Sequence, residues 1–211
     1  MPEKTTDLLR EVADYYSRKL AEHGETPRGV DWNGEESQQL RFEQLSKIIV
    51  DSGHFSVNDL GCGYGAFYSY VAQRYPSVAY TGIDVSKDMI QTAEQRHAGN
   101  PQACFVHGAE PNGVADYGVA SGIFNVRLGR SDGEWHEYLQ STLDVLARTS
   151  RLGFAFNCLT SYSDQDKMRD YLYYADPCQL FDLCKRRYSR QVAVLHDYGL
   201  YEFTILVRKD A

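Results

Sequence analysis

The spacing of apolar residues divides the chain into a long alternation of helices and strands. Leu8, Leu9, Val12, Tyr15, Tyr16 and Leu20 recur at helical intervals and predict a helix over residues 5–24. Gly and Pro punctuate residues 24–34 as a loop. Leu40, Leu45, Ile48 and Ile49 share one side of a second helix predicted within residues 35–53. Beyond it, strands are predicted over 54–60, 77–85, 103–108, 117–126 and 151–159. Helices are predicted over 66–76, 86–100, 131–150, 165–175 and 176–189. Ser86 and Asp176 stand at N-cap positions, and Pro177 follows in a first turn. Residues 190–199 and 200–209 predict two strands joined by a tight turn.

Strands alternating with helices imply βαβ units, and a terminal hairpin reverses one strand. The expected fold is therefore α/β: a doubly wound, mostly parallel seven-stranded sheet with one antiparallel strand. Ligands of such sheets bind at the carboxyl ends of the strands, at the switch point beside the first strand. A length of 211 residues suits one domain, with residues 1–52 as an N-terminal helical lid and 53–211 as the core.

Charge and cysteine usage narrow the partners. The net charge of −7 disfavours a phosphate backbone, and the one dense basic run, Cys184–Arg190, reads as a solvated helix end. The first twenty residues carry charges throughout, unlike a signal peptide, and no run has the length of a membrane span. Cys62, Cys104, Cys158, Cys178 and Cys184 are scattered without a CxxC pair. They suggest neither a disulfide framework nor a zinc site and suit a cytoplasmic protein.

The chemistry concentrates in "VNDLGCGYGAF", residues 57–67, where Gly61, Gly63 and Gly65 follow the first strand and open a helix. Bare backbone there turns sharply and admits a ligand close to the chain. The pattern satisfies the dinucleotide motif G-x-G-x-x-G/A through Gly61, Gly63 and Ala66. Asp84, 19 residues past Gly65, suits the ribose diol of either a dinucleotide or another nucleoside. Asp59, two residues before Gly61, favours an ammonium group and would repel a pyrophosphate.

These residues, followed by "YTGIDVSKDMI", resemble the first two motifs of the class I S-adenosylmethionine-dependent methyltransferases, and the likeness runs from Ser56 to Val207 in element order. The resemblance implies the sheet order 3-2-1-4-5-7-6 and S-adenosyl-L-methionine as cofactor. It implies that Asp59 with Gly61, Cys62 and Gly63 holds the methionine part and that Asp84 accepts the ribose hydroxyls. Val85 and Met89 would pack on the adenine, with Gly108 and Ala109 at its edge. Many members carry an acid where Ala109 stands. Phe124 and Asn125 would offer backbone to the methionine end, and Arg41 would meet the cofactor carboxylate.

On the acceptor side, Trp32, Arg127, Asn157, Tyr162, Tyr174 and Tyr198 are the substrate candidates. Tyrosine and tryptophan give apolar walls with a polar tip, which suits a small acceptor. The region near 159–187 is the expected substrate-side segment, with specificity residing in 161–177. The Asn-Pro-Pro-Tyr of nucleic-acid amino methyltransferases is absent, and Asn stands where catechol-type enzymes carry metal-binding carboxylates. The expectation is metal-independent transfer to a hydroxyl or amine of a small molecule, with no nucleic acid or membrane partner. His196 is the first choice for a base and His136 the second. Two alternatives stay open: an NAD-dependent oxidoreductase, for which no Tyr-x-x-x-Lys pair is seen, and a nonenzymatic cofactor-binding module.

Overall fold

The computed structural model describes residues 3–50 and 53–210, with side chains from Asp7 onward. Its strands are β1 (Phe55–Leu60), β2 (Val78–Asp84), β3 (Ala103–His107), β4 (Ala115–Ala120), β5 (Ser150–Leu159), β6 (Gln191–Leu195) and β7 (Glu202–Arg208). The helices are α1 (Glu3–His23), α2 (Glu35–Ser46), α3 (Ala66–Arg74), α4 (Lys87–Arg96), α5 (Asp132–Thr149) and α6 (Pro177–Arg187). A 3-10 turn, Pro27–Val30, joins the first two helices.

The strands form one sheet in the order β3-β2-β1-β4-β5-β7-β6. All neighbours are parallel except that β7 runs against both β5 and β6. This is the doubly wound sheet expected from the sequence. Residue alternation on the central strands builds a core on each face. On β5, Phe154, Phe156 and Cys158 pack with Leu139, Leu143 and Leu146 of α5, while Ala155 turns to the other face. That second core holds Phe42 and Leu45 of α2 with Phe67 and Val71 of α3. Ser86 accepts the Met89 amide at 3.2 Å and Asp176 accepts the amides of Cys178 and Gln179, so both predicted caps are in place.

Four expectations change. The strand predicted over 117–126 ends at Ala120, because Gly122 takes a left-handed backbone (φ 77°) and gives its amide to Asn157. The helix predicted over 165–175 is reduced to a 3-10 turn, Gln165–Lys167. The amides of Tyr173 and Ala175 go instead to the carbonyls of Asn125 and Leu159, both at 2.8 Å, so contact with the loop after β4 and the carboxyl end of β5 overrides helical spacing. The last two strands are joined by a loop over 196–201 rather than a tight turn. The second helix ends at Ser46, with Ile48 and Ile49 buried just beyond it; its predicted residues 51 and 52 lie outside the described residues. Among the described residues no helix is long and apolar enough to cross a membrane.

The β5–β7 pairing leaves no room for a side chain at Gly153. A Cβ there would stand 2.5 Å from the Val207 carbonyl oxygen. Gly153→Ala is expected to lower the urea midpoint by the equivalent of about 1–3 kcal/mol, the usual range for overpacking. Equilibrium unfolding of the two proteins checks this.

Candidate functional site: a cavity at the carboxyl ends of the strands

β1 and β2 run in parallel and end side by side, with Asp59 in register with Gly82. The chain then folds back on the end of β2. The amides of Gly61 and Cys62 both donate to the Ile83 carbonyl, at 2.7 and 3.0 Å. The next amide, Gly63, donates to Asp84 Oδ2 at 2.9 Å, and Ser86 donates to Oδ1 at 2.8 Å. One carboxylate thus binds the glycine loop to the start of α4. Gly61 is required by a close approach: a Cβ there would lie 2.1 Å from Ile123 Cγ2.

Above this loop lies a cavity of about 500 Å³. Asp59, Gly61, Cys62, Gly63, Asp84, Val85, Met89, Gly108 and Ala109 all line it. Ser121, Gly122 and Ile123 line the side toward β4, and Tyr138, Thr142 and Val145 of α5 close another. The N-terminal segment adds Leu8, Leu9, Val12 and Tyr16 of α1, then Val30 and Trp32. Polar ties hold that segment down. Ser17 and Ser86 meet at 3.0 Å, Glu11 pairs with Arg130 at 2.6 Å, and Glu25 pairs with Arg96 at 2.9 Å.

The cavity is electrostatically unsatisfied. Asp59 is 2% exposed; its Oδ2 accepts the Tyr80 hydroxyl at 2.5 Å, while its Oδ1 is buried without a hydrogen-bond partner. Burial pushes its pKa up to about 7, against the pull of the Tyr80 hydrogen bond and with a further push from the charge of Asp84. Burial also raises Asp84, opposed by the amides it accepts. Glu110, Glu134 and Glu137 also line the cavity, and among the described residues the one cation in the lining is Arg130. The arrangement suits a ligand that brings positive charge.

Several expected residues lie elsewhere. Arg41 does not line the cavity: it is buried and donates through Nε and Nη2 to Glu202, at 2.8 and 2.7 Å. Phe124 and Asn125 lie past the end of β4, and their polar groups are taken. The Phe124 carbonyl accepts Trp135 Nε1 at 2.9 Å, and Asn125 Oδ1 accepts the Leu159 amide at 3.1 Å. Asn157 is fully buried behind Gly122. Arg127 pairs with Asp132, Tyr174 accepts the Arg169 amide, and Tyr198 meets Thr204. Tyr162 is 69% exposed and sits beside exposed His196 at the end of β6. His136 is exposed on α5, beside Asp182 and Arg186 of α6. None of these ten residues lines the cavity, and neither does any residue of 161–177.

Other lining residues escaped the sequence reading. Leu8, Leu9, Val12 and Tyr16 were visible as a helical stripe, but a stripe does not say whether it faces core or cavity. Glu110 lines the cavity one position after Ala109, with its carboxylate on Arg148.

Comparison with known proteins places the chain. Residues 57–148 match a family model described as a methyltransferase domain. Over 163 residues the chain is 61% identical to "Putative methyltransferase Rv1506c" of Mycobacterium tuberculosis (strain ATCC 25618 / H37Rv), covering 77% of this chain and 98% of that one. The chain belongs to the class I S-adenosylmethionine-dependent methyltransferases. S-adenosylmethionine is the cofactor of this methyltransferase. It is also 33% identical over 106 residues to a trans-aconitate 2-methyltransferase of Rhodopseudomonas palustris (strain BisB18), covering 45% of this chain and 40% of that one. In fold it is similar to the N-methyltransferase NodS from Bradyrhizobium japonicum WM9 solved with S-adenosyl-l-homocysteine, with a TM-score of 0.66 and 17% identity over 94% of this chain and 98% of that one.

The cavity of the methyltransferase fits that cofactor. The partnerless Asp59 Oδ1 stands ready for a cationic group. Asp84, though held by two amides, keeps a second lone pair on each oxygen.

Asp59 carries a stability cost that depends on pH. Its raised pKa means the folded state holds the proton more tightly than the unfolded chain. The stabilising contribution of the protonated side chain is fully present below the usual 3.8 and is lost as pH rises through about 7, which leaves the cost of a buried charge above that pH. Asp59→Asn is therefore expected to unfold at higher urea than the parent at pH 8, by up to about 4 kcal/mol, with the difference vanishing near pH 4. Urea titrations of the ligand-free proteins at both pH values check it.

Proposed function

We propose that this methyltransferase transfers a methyl group, without a metal, to a hydroxyl or amine of a small molecule that is neutral or positively charged. The observation that carries the reading is the acidic cavity beneath the N-terminal segment: five carboxylate residues line it against one arginine, and that arginine is already paired with Glu11. Asp59, Gly61, Cys62 and Gly63 would hold the methionine end of the cofactor, Asp84 the ribose, and Val85, Met89, Gly108 and Ala109 the adenine. When bound, S-adenosylmethionine supplies a methyl group on a positively charged sulfonium. Asp59 would pair with the ammonium group, which returns its carboxylate to the charged form. Residues 3–32 act as a lid: Leu8, Leu9, Val12, Tyr16 and Trp32 exclude water and align the acceptor.

Glu137 is left to meet an acceptor amine or take its proton. Asp59 is bonded to Tyr80, Asp84 to two amides, Glu110 to Arg148 and Glu134 to the Ser131 cap. Glu137 lines the cavity, and among the described residues it has no such tie. An anionic acceptor such as trans-aconitate finds no free cation among the described residues of the lining. Among the described residues no three His, Cys, Asp or Glu side chains converge to hold an ion.

Calorimetric titration with S-adenosylhomocysteine tests the cofactor roles. The affinity is expected to rise about tenfold from pH 6 to pH 8, as Asp59 loses its proton, and then to level off. Asp59→Asn is expected to bind more weakly and without that slope; an unchanged slope in the variant would remove Asp59 from the ammonium site. For the acceptor, transfer of labelled methyl is expected to small amines or phenols and not to trans-aconitate. Transfer to trans-aconitate would overturn the charge argument.

A further inference from the structure

The cavity's Trp32 wall is held by groups that do not themselves reach the cavity. Glu202, the first residue of β7, is 1% exposed, and its two oxygens accept Arg41 Nε and Nη2 from α2 at 2.8 and 2.7 Å. Glu202 Oε2 also accepts Asn157 Nδ2 from β5 at 3.2 Å. This fixes the Asn157 amide so that its Oδ1 accepts the Gly122 amide at 2.7 Å. Gly122 has φ 77°, and a Cβ on it would fall 2.5 Å from Trp32 Cζ2, so the turn lies directly against the indole. The Arg41 guanidinium stacks over the Trp32 ring at 3.9 Å, which closes the ring of contacts. Among the described residues Arg41 Nη1 has no hydrogen-bond partner, so the contacts with Glu202 and Trp32 orient the guanidinium.

Stability does not require such a device. A buried ion pair recovers its desolvation cost only with good geometry, and an apolar pair of similar size often serves as well. What the ring does accomplish is registration. Trp32 belongs to the N-terminal segment and Gly122 to the turn that follows β4, while Ile123, beside Gly122, abuts Gly61 of the glycine loop. We infer that Arg41, Glu202 and Asn157 are positioning residues: they hold Trp32 at a set distance from the glycine loop, so that the acceptor wall and the cofactor seat are aligned. This rests on the reading of Trp32 as part of the acceptor wall. Alignment to within an ångström governs the rate of a displacement between two bound partners.

The test uses the full chain labelled with 5-fluorotryptophan. Its two fluorine signals, from Trp32 and Trp135, are assigned with Trp32→Phe. Trp135 is fully buried and bonded to the Phe124 carbonyl, which makes it an internal control for folding. In Asn157→Ala the Trp32 signal is expected to shift and broaden while the Trp135 signal stays. The affinity for S-adenosylhomocysteine should stay within about threefold, and the ligand-induced shift of Trp32 should fall by half or more. The double variant Arg41→Met with Glu202→Leu, which leaves no lone buried charge, should do the same and carries the test if Asn157→Ala does not fold. A Trp32 signal unmoved in the folded variants would overturn the inference. So would a tenfold loss of affinity with Trp32 unmoved, which would make the ion pair part of the cofactor seat. If the parent protein binds no S-adenosylhomocysteine, the cofactor roles fail, whereas the position of the Trp32 signal in the variants still decides the ring.

Discussion

Two carboxylates buried at the ends of adjacent parallel strands set the terms for the rest of the molecule. Parallel pairing of β1 with β2 brings Asp59 and Asp84 to the same edge, where both line one cavity. Each would lose hydration on burial, and their charges repel. Asp84 is compensated by two backbone amides, which is why the chain after β1 has to turn so tightly that Gly63 can reach it. Asp59 is compensated by one tyrosine hydroxyl and keeps a bare oxygen. The shape of the glycine loop and the unpaired carboxylate oxygen in the cavity have the same origin.

The N-terminal segment solves a different problem. α1 is amphipathic, yet of its apolar stripe only Leu8 is buried, while Leu9, Val12 and Tyr16 stand half-buried at the cavity. A helix that turns its apolar face to a ligand cavity gains little from packing until the cavity is filled. Its anchorage falls to scattered polar contacts such as Ser17–Ser86 and Glu11–Arg130. α2 is the opposite case. Phe42 and Leu45 are sunk in the core, and Arg41 is committed to Glu202 across the sheet. The segment therefore has a rigid end at α2 and a lightly held end at α1, with Trp32 between them.

While the strand order came only from the family resemblance, the sequence by itself determined the alternation of strands and helices, a mostly parallel sheet with one reversed strand, and the residues of the glycine loop. These follow from local spacing: an apolar run, glycines, a helical period and an acid at the end of each of two strands. Asp59, Gly61, Gly63, Asp84, Val85 and Met89 lie within a few positions of those landmarks, so they reach the cavity with the strands that carry them. Only the tertiary structure decided the rest. It sent Arg41 to Glu202, buried Asn157 behind Gly122, and left His136 and His196 on the surface. It also replaced the helix expected over 165–175 with backbone bonds to Asn125 and Leu159. The physical reason is common to these cases. Which partner a polar side chain or an amide finds depends on what another part of the chain brings within hydrogen-bond distance. Glu202 is far from Arg41 in sequence, and nothing in the spacing of either residue records that the fold brings them together.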